Sequence, residues 1–278
     1  MKLKLNMNMN ILEKITASTK ERIAEKKKTA PLEEIREAAE QLNINQGYPF
    51  PFEFEFEKAL RGEDIAFICE IKKASPSKGV ITEDFPYLQI AKDYESAGAA
   101  AISVLTEPFY FKGGDRYLRE ISDTVSIPLL RKDFTVDDYM IYEAKILGAS
   151  AVLLICAVLD NDSGILAEYI NITHSIGLSA LVETHDEKEV ETALSAGARI
   201  IGVNNRNLKT FEVDITLSER LRQLVPEDKI FISESGIQTP ADINKLREIK
   251  ANAALIGETL MRSLDKAAEL KRLRGELS

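Results

Sequence analysis

Eight short apolar runs recur along the chain from residue 65 onward, and this rhythm constrains the fold more than any other feature. Each run has the length of a buried strand, and amphipathic segments of roughly 10–15 residues separate the runs. Several segments open with helix-start signals, such as the capping-box pattern of Asp186 and Glu189, or Thr239 before Pro240. The predicted strands are residues 65–71, 100–105, 127–130, 151–155, 179–182, 200–203, 229–232 and 253–256.

A glycine-containing motif recurs at residues 96–99, 147–149 and 195–198, where a helix closes and a strand opens. Its spacing of roughly fifty residues corresponds to two strand–helix units. Eight strands alternating with helices in about 210 residues predict an α/β protein with a closed (β/α)8 TIM barrel. A doubly wound parallel sheet is the alternative, but it predicts a Gly-x-Gly-x-x-Gly turn after the first strand, and the sequence has no such turn there.

Residues 1–64 are predicted to form an N-terminal helical extension packed on the barrel of residues 65–278, the two making one structural domain. Residues 11–45 have a helical pattern but few apolar positions, so these helices should pack loosely. Residues 48–60 alternate Phe and Glu as a strand would, yet contain two prolines. We interpret this stretch as an apolar connector whose end could equally be one helical turn.

Composition excludes several classes of function. The net charge of −9 argues against nucleic acid or an anionic membrane as partner. No apolar run is long enough for a transmembrane helix, and the basic N-terminus lacks a signal-peptide core. The two cysteines, Cys69 and Cys156, lie within apolar runs and are expected to be packing residues, neither disulfide-bonded nor metal-bound. We therefore expect a cytoplasmic protein.

Charged side chains end the first predicted strand. Glu70 and Lys72 are two residues apart and share one face of that strand, which on its own fits a surface ion pair equally well. Polar residues also end five other predicted strands, at residues 131–134, 183–185, 204–207, 233–236 and 257–259. The carboxyl ends of barrel strands form the reaction site, so this pattern predicts an active site.

Two strand ends have the features of a phosphate site. Ser235 and Gly236 follow the seventh strand, and Gly257 and Glu258 follow the eighth, where such barrels often bind phosphate through backbone N–H groups. The alternative is that these glycines only turn the chain.

Lys72, Lys132 and Arg206 should bring positive charge to the barrel mouth of an acidic protein. A small anionic substrate with a second acidic group besides its phosphate would explain them.

Three glutamates, Glu70, Glu183 and Glu234, supply bases, so acid–base chemistry is available without metal or coenzyme. Of the two histidines, His174 is expected on the surface, and His185 near the mouth in a minor role at most.

In combination, these motifs resemble the indole-3-glycerol-phosphate synthase family of tryptophan biosynthesis. The resemblance covers residues 10–275, and each motif falls on a strand end marked above. The motifs are residues 70–77, 130–134, 181–183, 202–208, 233–237 and 256–258.

The resemblance implies the substrate 1-(o-carboxyphenylamino)-1-deoxyribulose 5-phosphate, which carries carboxylate and phosphate groups. Ring closure, loss of CO2 and loss of water convert it to indole-3-glycerol phosphate. The resemblance implies no cofactor, and it leaves open an association with other enzymes of tryptophan biosynthesis.

The same resemblance implies the catalytic roles. Lys132 matches the general acid of ring closure and Glu183 the base of dehydration. Lys72, oriented by Glu70, either holds the benzoate or protonates the leaving hydroxyl.

The remaining implied residues contact substrate. Asn204 and Ser235 complete the catalytic set, and Ser235 also belongs to the phosphate site with Gly236, Gly257 and Glu258. Some family members carry Ser at the position of Glu258. Relative to them, this chain lacks a hydroxyl donor and has an additional negative charge near the phosphate. The implied substrate-binding residues are Ser75, Phe134, Arg206 and Glu234.

Two alternatives remain. Phosphoribosylanthranilate isomerase would need a cysteine followed by glycine at the end of the first strand, whereas Cys69 precedes Glu70 and lies off that face. A non-catalytic metabolite-binding barrel would be expected to have lost its acid–base residues. This sequence retains them.

Overall fold

The computed structural model describes residues 9–45, 52–208 and 210–276. Its strands are β1 (Ala66–Ile71), β2 (Ala74–Ser75), β3 (Gly79–Val80), β4 (Ala101–Leu105), β5 (Leu129–Lys132), β6 (Ala151–Ile155), β7 (Ser179–Thr184), β8 (Ile200–Asn204), β9 (Ile230–Glu234) and β10 (Ala253–Ile256). All except β2 and β3 run parallel and close into a barrel in which β1 pairs with both β4 and β10. The predicted TIM barrel is therefore confirmed, and the doubly wound sheet is wrong.

Helices follow the strands around the barrel, and none within the described ranges is long and apolar enough to span a membrane. They are α1 (Ile11–Thr29), α2 (Leu32–Asn45), α3 (Glu55–Ala59), α4 (Tyr87–Ser96), α5 (Asp115–Ser122), α6 (Tyr139–Ile146), α7 (Ser163–Ser175), α8 (Glu187–Ser195), α9 (Thr216–Arg222), α10 (Pro240–Glu248), α11 (Glu258–Arg262) and α12 (Lys266–Arg274). A 3-10 helix spans Cys156–Leu159.

Some predicted strand bounds are shifted. The third barrel strand begins at Leu129 rather than residue 127, and Pro128 directly before it has no N–H to donate to a ladder. The strands β7 and β9 each extend two residues further than predicted. As a result, Glu183 and Glu234 lie within strands instead of after them.

Side chains of the barrel strands alternate between two apolar clusters. Ile68 packs in the cluster inside the barrel, whereas Phe67 and Cys69 pack in the cluster under the surrounding helices. By the same alternation, the inner row of β1 continues to Glu70. The inner rows of β5, β7 and β9 likewise end in Lys132, Glu183 and Glu234, so one set of charged side chains meets at the carboxyl end of the barrel.

Helix-start signals are confirmed at α10 and partly at α8. Thr239 and Asp242 form a complete capping box before Pro240. Asp186 accepts a hydrogen bond from the Glu189 N–H at 2.8 Å, but the Glu189 carboxylate turns to His185 instead of the Asp186 N–H. The predicted capping box of α8 is therefore only half formed.

Two further local features can be compared with the sequence. The apolar connector ends in α3, so the helical alternative for its end is confirmed; residues 48–51 of the connector lie outside the described ranges. His174 is half-buried rather than a surface residue, with its ring 5.4 Å from that of Phe54.

The predicted loose packing of the N-terminal helices is wrong for α1, which ion pairs attach to the barrel. Arg22 donates two hydrogen bonds, of 2.9 and 2.8 Å, to the buried carboxylate of Asp133. Lys26 contacts Asp115 and Glu143, each at 2.5 Å. The same two carboxylates pair with Arg131, at 2.9 and 2.7 Å.

Arg131 is therefore not part of the barrel mouth, although it lies in the polar stretch that ends the third predicted strand. Its side chain is buried on the outer face of β5, one residue out of phase with the inner row. It joins the ion pairs of α5 and α6 to those of α1.

We predict that Arg22→Gln lowers the free energy of unfolding by about 3 kcal/mol, because it leaves the buried Asp133 carboxylate without its main counter-charge. Urea denaturation of the purified protein measures this. Lys28→Gln is the matched control, since Lys28 pairs with Glu25 on the exposed surface of the same helix and should change stability by less than about 1 kcal/mol. Equal effects of the two substitutions would contradict the proposed attachment of α1.

Candidate active site

A cavity of about 310 Å³ opens at the carboxyl ends of the barrel strands. Every residue that the sequence predicted for the site lines it. These residues are Glu70, Lys72, Ser75, Lys132, Phe134, Glu183, Asn204, Arg206, Glu234, Ser235, Gly236, Gly257 and Glu258. Side chains distant in sequence are thus brought together because the inner rows of the strands end at one level.

Lys132 lies among the buried carboxylates of the cavity. Its Nζ is 3.0 Å from Glu183 Oε2 and 3.4 Å from Glu234 Oε2. Burial disfavours the ammonium, but Glu183, Glu234 and Glu70 outweigh this and raise the pKa of Lys132 above its usual value. Lys132 is therefore charged at neutral pH.

Glu183 and Glu234 respond differently to this shared cation. Burial acts to raise the pKa of Glu183, but Lys132 and His185 overcome it, so the pKa of Glu183 is lowered. Burial, joined by repulsion from Glu183 and Glu70, outweighs Lys132 and raises the pKa of Glu234 to about 8. Near neutral pH, the site thus holds an ionised carboxylate beside a mostly protonated one, which is a base beside an acid.

Glu70 and Lys72 form a second pair at the end of β1, as the shared strand face predicted. Lys72 Nζ donates directly to Glu70 Oε1, and the Glu70 side chain is almost fully buried. A Cβ atom at Gly257 would collide with Glu70 Oε1 and would lie 3.0 Å from Lys72 Nζ. Glycine at position 257 is therefore required by this ion pair, a role that the sequence did not indicate.

A second glycine makes room for Glu234. Gly202 lies on β8 beside β9, and a Cβ atom there would collide with Glu234 Oε1. That oxygen is buried and has no hydrogen-bond partner among the described residues. Glu234 consequently has one oxygen beside Lys132 and the other buried against Gly202 without a hydrogen-bond partner among the described residues.

Asn204 binds within the protein as well as lining the cavity. Its Nδ2 donates to Glu183 Oε1 at 3.2 Å, and its Oδ1 accepts from the Arg206 backbone N–H at 3.1 Å. These contacts orient Glu183 and fix the chain that leaves β8. The predicted hydrogen bond from Asn204 to substrate would have to be shared with them.

The four residues of the predicted phosphate site meet at one side of the cavity. Ser235 and Gly236 both have left-handed backbone conformations, with φ of 66° and 85°. Such a conformation is strained for serine and is typical of functional sites. Glu258 begins α11, and its carboxylate lies 3.1 Å from Arg262 and 3.6 Å from both Lys78 and Arg206.

The positive charge expected at the mouth is therefore neutralised within the protein. Lys72 faces Glu70, Lys132 faces Glu183, and Arg206 faces Glu258. An anionic substrate must compete with these carboxylates or contact the same cations from another side.

Sequence reasoning predicted Phe134 on the aromatic wall of the cavity but missed Phe111. Phe111 lines it beside Phe134, the two ring centroids being 6.1 Å apart. The loop that carries Phe111 is fixed by Glu107, a buried carboxylate that accepts three backbone N–H groups, including that of Phe111 at 2.9 Å. The aromatic cluster at residues 109–111, shortly after the second predicted strand, was the signal available in the sequence.

The beginning of α1 covers another side of the cavity. Ile11, Leu12 and Ile15 line it together with Leu153 and Ile155 from the barrel strand β6. The ion pairs of Arg22 and Lys26 therefore hold an apolar cover in place. Among the described residues, no group of three or more His, Cys, Asp and Glu side chains is arranged to hold a metal ion.

Comparison with known proteins gives consistent matches along the chain. The sequence profile of the family described as indole-3-glycerol phosphate synthase matches residues 12–273. The indole-3-glycerol phosphate synthase of Ruminiclostridium cellulolyticum is 61% identical over 265 residues, covering 95% of this chain and 99% of that protein. That of Endomicrobium trichonymphae is 54% identical over 269 residues, covering 95% and 99%.

Solved structures support the fold alone. A crystal structure of 3-hexulose-6-phosphate synthase has a TM-score of 0.60 at 15% identity, covering 77% of this chain and 100% of that one. The family profile and these sequence identities extend over nearly the whole chain and include each strand end that forms the cavity. The chain belongs to the indole-3-glycerol phosphate synthase family.

Proposed function

We propose that this chain, a carboxy-lyase by its family, converts 1-(o-carboxyphenylamino)-1-deoxyribulose 5-phosphate to indole-3-glycerol phosphate by lysine and glutamate acid–base catalysis. The observation that carries the proposal is the Lys132 ammonium between Glu183 and Glu234 in a cavity that has both charged and apolar walls. This arrangement supplies a cationic proton donor, an ionised base and a neutral acid within one small volume.

Lys132 acts in ring closure. The ring carbon that bears the carboxylate attacks the ribulose carbonyl carbon, and the carbonyl electrons move to oxygen. Lys132 is charged because of its carboxylate neighbours, and it donates its proton to that oxygen. The developing alkoxide is a strong base, so an ammonium with a raised pKa remains an adequate donor.

Loss of CO2 follows in apolar surroundings. The bond to the carboxylate breaks, and its electrons return to the ring, which regains aromaticity. A carboxylate spreads its charge as it leaves, so walls that solvate it poorly, such as Phe111, Phe134 and Leu153, favour this step.

Glu183 and Lys72 act in dehydration. Glu183 is ionised and removes a proton from carbon, while the hydroxyl group leaves as water with a proton from Lys72. We assign Lys72 to proton transfer rather than to the benzoate, because Glu70 already neutralises its ammonium and would repel a second carboxylate. Asn204 keeps Glu183 oriented.

The remaining predicted residues bind substrate. The phosphate lies against Ser235, Gly236, Gly257 and the backbone of Glu258. Arg206 and Ser75 contact substrate oxygens near the rim, Phe134 packs on the aromatic ring, and Glu234 donates a hydrogen bond from its neutral carboxyl group.

A phosphoribosylanthranilate isomerase activity is disfavoured because Cys69 packs on the outer face of β1, away from the cavity. A non-catalytic metabolite-binding barrel is the remaining alternative. Cytoplasmic location and association with other enzymes of tryptophan biosynthesis stay predictions.

We predict that Lys132→Met loses at least about a hundredfold in turnover, because it removes the proton donor of ring closure. Formation of the fluorescent indole product from the authentic substrate measures this. Lys188→Met, at an exposed position on α8, is the control and should retain full turnover. Unchanged turnover in Lys132→Met would refute the role of Lys132, and a wild-type protein that binds substrate without forming product would be a binding barrel only.

Lys72→Arg separates the two roles considered for Lys72. Arginine keeps the charge but does not give up a proton near neutral pH. We expect turnover to fall about a hundredfold while KM changes less than about threefold. The opposite result, a large increase in KM with turnover preserved, would assign Lys72 to the benzoate. Steady-state kinetics decide between them.

Glu234→Gln should stabilise the protein increasingly as pH rises. Between pH 4.5 and about 8 the folded protein retains a proton on Glu234 that the unfolded chain releases, so Glu234 lowers stability progressively across this window. Glutamine stays neutral throughout. We expect the variant to gain about 2 kcal/mol or more relative to wild type between pH 4.5 and pH 8.5. Urea denaturation at both pH values tests this, with Glu191→Gln, exposed on α8, expected to show no such trend.

A further inference from the structure

His185 lies directly behind the proposed base, although it does not line the cavity. It follows β7, and its side chain is only 17% exposed. Its Nε2 is 3.4 Å from Glu183 Oε1, and its Nδ1 is 3.1 Å from Glu189 Oε2. The imidazole therefore bridges Glu183 to a second buried carboxylate that the reaction does not use.

Glu189 is fixed so that it orients this ring. Asp186 caps α8 by accepting a hydrogen bond from the backbone N–H of Glu189. The Glu189 carboxylate in turn accepts a hydrogen bond of 2.8 Å from the backbone N–H of His185. In a complete capping box, that carboxylate would bind the N–H of Asp186. Here the carboxylate binds the N–H of the preceding residue, His185, instead. This brings Glu189 Oε2 to His185 Nδ1 and leaves His185 Nε2 directed at Glu183.

The surroundings of His185 favour its charged form. Burial lowers the pKa of His185, but Glu189, Glu183 and Glu234 together outweigh burial and raise it. The other groups nearby are Asp186 at the start of α8, Lys132 across Glu183, and Cys156 of the 3-10 helix. Burial raises the pKa of the Cys156 thiol, which stays neutral.

We propose that His185, held by Glu189, is a positioning residue that keeps Glu183 ionised and turned toward substrate. This proposal rests on the role of Glu183 as base. His185 and Asn204 engage Glu183 Oε1, whereas Lys132 engages Oε2, so the carboxylate cannot rotate without losing contacts on both oxygens. A cation behind the carboxylate also keeps it ionised at lower pH than Lys132 alone would allow.

The test is the pH dependence of turnover. In His185→Gln, Glu183 loses one neighbouring cation, and the acid limb of the kcat profile should move up by about one pH unit. KM should change less than about threefold, because His185 does not contact the cavity. Glu189→Gln should shift the limb in the same direction by less. His174→Gln, which changes the other histidine in the last turn of α7 beside Phe54, is the control and should leave the profile unmoved.

An NMR titration gives a readout that does not need turnover. The chain has two histidines, so the two substitutions assign their ring signals. We expect His185 to titrate above 6.5 in the wild type and lower in Glu189→Gln, with His174 near 4. This measurement also covers the case in which His185→Gln fails to fold.

The outcomes are distinct. Normal wild-type turnover with an unmoved acid limb in His185→Gln, or a His185 pKa unaffected by Glu189→Gln, would overturn this inference alone. Absence of wild-type turnover would overturn the proposed function.

Discussion

The site depends on one buried ammonium surrounded by carboxylates. Three glutamates end the inner rows of β1, β7 and β9, and their mutual repulsion would prevent all three from ionising in a buried cavity. Lys132 stabilises Glu183 as an anion, but it does not suffice for Glu234, whose pKa rises to about 8. Lys132, together with His185 behind Glu183, thus makes one glutamate a base and leaves another as an acid, although the two side chains are chemically identical.

The barrel makes this arrangement possible by register and by space. Glu183 lies level with Gly202, and Glu234 lies level with Asn204, because β7, β8 and β9 are in fixed parallel register. Gly202 leaves room for Glu234, and Gly257 leaves room for the pair of Glu70 and Lys72. The glycines near the strand ends therefore provide the space that the large charged side chains of neighbouring strands occupy.

Much of this could be predicted from the sequence, because strand-length apolar runs and the two-residue period determine both the barrel and the inward rows. The period also explains why Arg131, one residue out of phase with Lys132, belongs to the outer network. Features that depend on loops could not be predicted: the conformation that brings Phe111 into the cavity is determined by Glu107. The role proposed for His185 could not be predicted either, because it depends on Glu189, whose sequence pattern indicates an ordinary helix cap.

The attachment of α1 has a consequence for behaviour on heating. An apolar contact gains little further strength as temperature rises, whereas the cost of removing water from charged groups falls. The helix that covers the cavity is attached through Arg22, Lys26 and their carboxylate partners as well as through the buried side chains of Ile15 and Ile23. The ionic part of this attachment should weaken less with heat than the apolar part, so the ion pairs help to keep the reaction chamber covered as temperature rises.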